Sequence, residues 1–156
     1  MGKALLAKAL LTLLRDAAGH IYLVHSVPIG VSMVLGIGND IIEISRIDNA
    51  IKRYGQKFLD KIFTLREQEY CQRYSQPSRH FAGRFAAKEA VVKAIGVGFR
   101  DGVTWLDIEI INDHQGKPIP IISKDLYSRF QGQLAVSISH CKEFASAVAI
   151  LWSSMD

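Results

Sequence analysis

The 156-residue sequence predicts an α+β domain, with helices packed on a mostly antiparallel sheet. Two observations carry this. Apolar residues recur at helical spacing through much of 44–95, and from about residue 103 the period shortens to two, with turn residues between apolar stretches. Composition adds a third: 49% hydrophobic and 22% charged residues supply a core for one domain and exclude a disordered or low-complexity chain.

Residues 1–32 form an N-terminal extension that reads differently from the domain at 33–156. They carry Lys3, Lys8 and Arg15 against Asp16, so about half of the net charge of +4 lies in the first fifth of the chain. The apolar run 4–14 is broken by Lys8 and is too short to span a bilayer. Lys8 and the lack of a clear small-residue cleavage site also argue against a signal peptide. The expectation is a helical extension, or sequence upstream of a domain that starts at Met33.

Val34–Ile42 contains Gly36 and Gly38 and reads as a buried strand interrupted by one charge, Asp40. Ile44, Ile47, Ile51, Tyr54 and Phe58 then share one helical face, with Arg46, Arg53 and Lys57 clustered on another and Gly55 near the helix end. Thr64 and Glu67 make a capping box that opens a helix running to about Tyr74. Pro77 marks a break. A third helix is expected from about Arg79 to Ile95, stopped by Gly96. Val103–Ile111 and Ile119–Ile122 flank an Asp113–Gly116 turn and read as a hairpin. Ser123–Phe130 suits a short helix, and Leu134–His140 and Phe144–Trp152 suit two strands. No repeat recurs at a fixed period.

Asp40 is the first candidate for chemistry. A carboxylate in an apolar strand is costly unless paired or bound to a cation, although an exposed strand end capping the next helix accounts for it equally. Gly36-x-Gly38 lacks the third glycine of a dinucleotide loop, since Ile41 stands there. On the third helix Lys88 falls inside the apolar stripe of Phe81, Phe85, Val92 and Ile95. Glu89 and Lys93 flank that stripe beside Ala82 and Ala86. An exposed Glu–Lys pair normally sits opposite the stripe, and small alanines admit a bulky group.

Two carboxylates with lysines nearby suit a magnesium–phosphate site: Asp40 and Glu89 for the metal, Lys93 with Lys88 or Arg84 for phosphates. A glycosidase pair is the alternative use of two carboxylates, which the lysines disfavour. His140 closes a strand, either as a core histidine bonded to backbone or as a base or phosphate contact. Ser137 and Ser139 lack a glycine elbow, so a serine hydrolase is rejected. Cys71 and Cys141 are too few for a disulfide framework or zinc cage, and a reducing, cytosolic compartment fits.

Three blocks in order resemble the 4′-phosphopantetheinyl transferase family, in its short, bacterial-type holo-[acyl-carrier-protein] synthase branch. They are Gly36-Ile37-Gly38-Asn39-Asp40-Ile41 with Glu43 and Arg46-Ile47; Phe81-Ala82-Gly83-Arg84-Phe85-Ala86-Ala87-Lys88-Glu89-Ala90 with Lys93-Ala94; and Ser137-Ile138-Ser139-His140. The likeness spans Met33 to about Trp152 and leaves residues 1–32 outside.

The resemblance implies transfer of the phosphopantetheine arm of coenzyme A to a serine of an acyl carrier protein, leaving adenosine 3′,5′-bisphosphate. It implies Mg²⁺ on Asp40 and Glu89, and phosphate contacts from Lys93, with Lys88 and Arg84 as further candidates. It leaves His140 as a coenzyme contact or proton acceptor. It implies docking of an acidic carrier protein on Arg46 and Arg53, and a homotrimer with sites between subunits; the apolar stretches Ile119–Ile122 and Phe144–Trp152 are expected to supply the buried interface. A nucleic-acid-binding module is allowed by the pI near 9.1 but lacks a motif and interleaved aromatics. A non-catalytic carrier-protein-binding subunit is disfavoured by the presence of Asp40, Glu89 and Lys93.

Overall fold

The computed structural model describes residues 10–15, 21–26, 32–99 and 102–154. The chain divides into two compact units, residues 1–33 with 154–156, and residues 34–153. In the first unit β1 (Leu10–Arg15) and β2 (Ile21–Ser26) pair antiparallel, Leu10 opposite Ser26 and Arg15 opposite Ile21. This corrects the helical expectation for 10–15. Ile21, Tyr22 and Val24 favour extended backbone and supply a partner strand. Residues 4–9 of the apolar run, with Lys3 and Lys8, lie outside the described residues.

In the second unit the elements run β3 (Ser32–Glu43), α1 (Ile44–Tyr54), α2 (Gln56–Ile62), α3 (Leu65–Gln72), α4 (Pro77–Ile95), β4 (Ile108–Asn112), β5 (Pro118–Ile122), α5 (Lys124–Tyr127), β6 (Gln133–His140) and β7 (Phe144–Ser154). A single 3₁₀ turn, Trp105–Asp107, precedes β4 where the sequence suggested strand from Val103. The strands form a β3-β7-β6 sheet and a separate β4-β5 hairpin, so the α+β class holds while the single sheet becomes two. The pairing within β4-β5 and within β6-β7 is antiparallel.

The longest helix, α4, is the core of this unit. Phe81, Ala82, Ala86, Ala87, Ala90, Val91 and Val92 are buried along it. Pro77 stands at its first turn, where a missing N–H costs nothing, so the proline starts the helix two residues ahead of the expected Arg79. Gly96 ends it at φ 84°. The Thr64–Glu67 capping box forms, the Glu67 carboxylate accepting from the Thr64 amide at 2.8 Å. Gly55, at φ 57°, ends α1 as expected, but α2 follows at once, so Lys57 and Phe58 belong to α2.

The strand β3 crosses α4 at unusually close range. A Cβ on Gly36 would collide with the carbonyl oxygen of Ala94, and one on Gly38 with that of Ala90. Strand alternation puts residues 36, 38, 40 and 42 on one face, so the same crossing turns Asp40 toward the helix. The opposite face of the sheet is apolar and exposed: Leu35, Ile37 and Ile41 from β3, and Phe144, Val148 and Ile150 from β7.

Candidate active site

Asp40 and Lys93 meet where β3 crosses α4. The Lys93 ammonium donates to Asp40 Oδ1 at 2.7 Å and to the Asn39 carbonyl at 3.0 Å. The Asp40 side chain is 16% exposed and that of Lys93 47%. The strand itself is pinned to β7: Asn39 Nδ2 donates to the Ala147 carbonyl at 3.1 Å, and Ser146 Oγ to the Asp40 carbonyl at 2.9 Å. Glu89 lies one helical turn before Lys93 and is half-buried. Burial pushes its carboxyl pKa above 4.5, the charge of Asp40 pushes the same way, and Lys93 opposes them. Two carboxylates thus repel one another beside one ammonium.

Lys88 does not join them. It is fully buried, 2.7 Å from Glu67 Oε2, and also donates to the carbonyls of Ile62 and Trp105 at 2.6 and 3.0 Å. The other Glu67 oxygen accepts from the Ile110 amide at 2.9 Å. Lys88 therefore ties α4 to α2, α3, the 3₁₀ turn and, through Glu67, to β4. With every ammonium contact internal, it is corrected from phosphate ligand to structural cation.

Arg84 and His140 belong to a second cluster. They line a cleft of about 170 Å³ with Tyr70, Arg79, His80, Gly83, Asn112 and Pro118 among its walls. Arg84 is buried, donates to Asn112 Oδ1 at 2.7 Å, and lies 4.0 Å over the Tyr70 ring. The Nε groups of Arg79 and Arg84 are buried without a hydrogen-bond acceptor. His80 stacks on Tyr74 at 3.7 Å, and its ring lies 6.1 Å from that of His140. Burial holds the His80 pKa below 6.5, and repulsion from Arg84, His140 and Arg79 adds to this. His140 is exposed at the cleft, which removes the core-histidine alternative.

The sequence reading missed Arg79, His80, Tyr70 and Asn112. A usable signal was present: Arg79, His80 and Arg84 put three basic groups on one side of α4. On a helical projection, the centre of the Arg79–Arg84 group lies roughly 130° around the axis and about 14 Å along it from the Glu89–Lys93 group. The acidic and cationic clusters thus face different directions. Arg46 and Arg53 are both exposed on α1, the latter 5.2 Å over Tyr54. No cluster of three or more His, Cys, Asp or Glu suited to a metal occurs among the described residues. Nor is any described helix long and apolar enough to cross a membrane.

Residues 36–150 match the model of the 4′-phosphopantetheinyl transferase superfamily. The chain is 58% identical over 123 residues to a holo-[acyl-carrier-protein] synthase of Protochlamydia amoebophila, covering 78% of this chain and all of that one. It is 47% identical over 118 residues to the Chlamydia pneumoniae holo-[acyl-carrier-protein] synthase, covering 75% and 96%. Among solved structures, the Bacillus anthracis holo-(acyl-carrier-protein) synthase in complex with CoA (3′,5′-ADP) superposes with TM-score 0.67 at 44% identity, over 78% of this chain and 99% of that one. The Helicobacter pylori holo-[acyl-carrier-protein] synthase in complex with coenzyme A gives 0.66 at 38%, over 75% and 99%. The chain belongs to the 4′-phosphopantetheinyl transferase superfamily, among its holo-[acyl-carrier-protein] synthases.

Proposed function

We propose that the chain moves the 4′-phosphopantetheine arm of coenzyme A onto a serine of apo-acyl carrier protein, dependent on Mg²⁺, in the cytoplasm. The serine hydroxyl attacks the pantetheine-side phosphorus of the pyrophosphate. A P–O bond to serine forms as the hydroxyl proton is released to water, the bond to the bridging oxygen breaks, and adenosine 3′,5′-bisphosphate leaves. The observation that carries this is the Asp40–Glu89 pair with Lys93 at the β3–α4 crossing, in a chain 58% identical to a holo-[acyl-carrier-protein] synthase.

The donor set fits Mg²⁺. Two carboxylates raise each other's energy when both are ionised, and a cation between them relieves that repulsion. Mg²⁺ commonly takes one or two carboxylates and fills its remaining positions with water and phosphate oxygens. Bound there, it supplies neutralisation of charge on the pyrophosphate and the leaving group. Lys93 then holds phosphate oxygens by its ammonium. Arg84 and His140 take the nucleotide end of the coenzyme. The positive charges of Arg79 and Arg84 in the walls of that cleft favour an anion there. The setting of His140 beside Arg79 and Arg84 favours a phosphate contact for it.

The two clusters point different ways on one helix, so two copies must share each site. The exposed apolar face of β3 and β7 supports a homotrimer packed through that sheet, since contiguous exposed apolar surface marks association. The acidic carrier protein docks on Arg46 and Arg53 of α1.

Incubation with apo-carrier protein, coenzyme A and Mg²⁺, read by mass, tests the reading. The carrier gains one phosphopantetheine arm, and Asp40→Asn and Glu89→Gln remove most of that gain while remaining folded. An unmodified carrier, or near wild-type turnover by either variant at limiting Mg²⁺, overturns it.

A further inference from the structure

Lys93 neutralises one oxygen of the carboxylate pair proposed to hold a divalent cation. Its ammonium is 2.7 Å from Asp40 Oδ1, and its second acceptor is the neighbouring Asn39 carbonyl. Glu89 makes no comparable contact; the ammonium acts on it only through space. The lysine is half exposed and stands in the last turn of α4, where the helix dipole favours a cation. Its stem is long and flexible, whereas Asp40 is held by a strand pinned to β7 at Asn39 and at the Asp40 carbonyl.

We infer that Lys93 is the resident counter-ion of the carboxylate pair, holding Asp40 until a divalent cation displaces it. This rests on reading Asp40 and Glu89 as metal ligands. The ammonium 2.7 Å from Asp40 Oδ1 and a +2 ion on the same carboxylate repel one another, so loading the ion drives the ammonium off. Metal alone therefore binds weakly. A pyrophosphate gives the displaced ammonium a new acceptor, so metal and pyrophosphate each strengthen the other's binding, reciprocally. One lysine thus makes the site load both together, and serves both the waiting and the loaded state.

Titration of the purified full chain with Mn²⁺ alone, followed by the loss of free-ion EPR signal, tests this without turnover. Lys93→Met is expected to tighten Mn²⁺ binding by roughly three- to tenfold, from removal of one nearby unit charge. Lys93→Arg, which keeps the charge, is expected to leave it within about twofold. Adding coenzyme A tightens Mn²⁺ more in the wild type than in Lys93→Met. Equal or weaker Mn²⁺ binding by Lys93→Met, with wild-type binding intact and Asp40→Asn binding lost, overturns the counter-ion role and leaves the metal reading standing. Mn²⁺ binding that survives Asp40→Asn, or none in any variant even with coenzyme A present, overturns the metal reading and the counter-ion role with it.

Discussion

Gly38 of β3 passes so close to the Ala90 carbonyl of α4 that no Cβ fits between them. Gly36 meets Ala94 in the same way one turn on. The two glycines are therefore a packing device rather than a phosphate loop, and the distance they set is what lets Asp40 reach Lys93. Gly38→Ala forces strand from helix. It is expected to cost about 1–3 kcal/mol or more, seen as a lower midpoint in denaturant. Transfer activity should fall further than stability under conditions where the variant is still folded. A variant with wild-type stability and activity would show that β3 can shift without disturbing the site.

Glu89→Gln should stabilise the metal-free protein at neutral pH. The folded pKa of Glu89 lies above its unfolded value of 4.5, because burial and Asp40 disfavour its charge. In that window the folded state binds more protons than the unfolded state, so stability falls as pH rises through it. Above the window the charged carboxylate is a standing cost that glutamine lacks; below pH 4.5 both states are protonated and the difference disappears. Thermal melts of the two proteins against pH check this. A glutamine variant that is less stable at neutral pH would mean that Glu89 is held by a favourable partner instead.

Reversal of both Arg46 and Arg53 to Glu should raise the KM for carrier protein at least about tenfold and leave that for coenzyme A nearly unchanged. The difference should shrink with salt, as exposed charges are screened over about 10 Å at 0.1 M. Equal changes in both constants would take docking away from α1.

Ile37→Glu with Val148→Glu places charges on the exposed apolar face of β3 and β7. Light scattering should then report a smaller species, with transfer lost at assay concentrations where the wild type is active. A fully active monomer of the wild type would sink the shared site.

Much of this was legible from residue order because the cues were local. The Thr64–Glu67 box, Gly96 at the end of α4 and the alternation of Leu134–His140 each act within a few residues. Asp40, Glu89 and Lys93 stood out as charges placed against apolar patterns. The break at Gly55 was read, but Phe58 continues the apolar spacing of α1 and hid the new start of α2. Lys88 was seen to lie in the apolar stripe, yet its partner Glu67 sits on another helix. Pairing between elements leaves no mark on spacing. The exposed face of β3 was hidden for a similar reason. A strand apolar on both faces reads as wholly buried, and only its neighbours reveal which face is covered.

Lys88 and Glu89 are adjacent in sequence, but one ends in the core and the other at the β3 crossing. An inserted residue just ahead of them would turn the following helix by about 100°. Lys88 would arrive where Glu89 stands, and Glu89 would take the place of Ala90, fully buried beneath Gly38. Insertions and deletions are therefore intolerable within Phe81–Lys93, however mild the residue added.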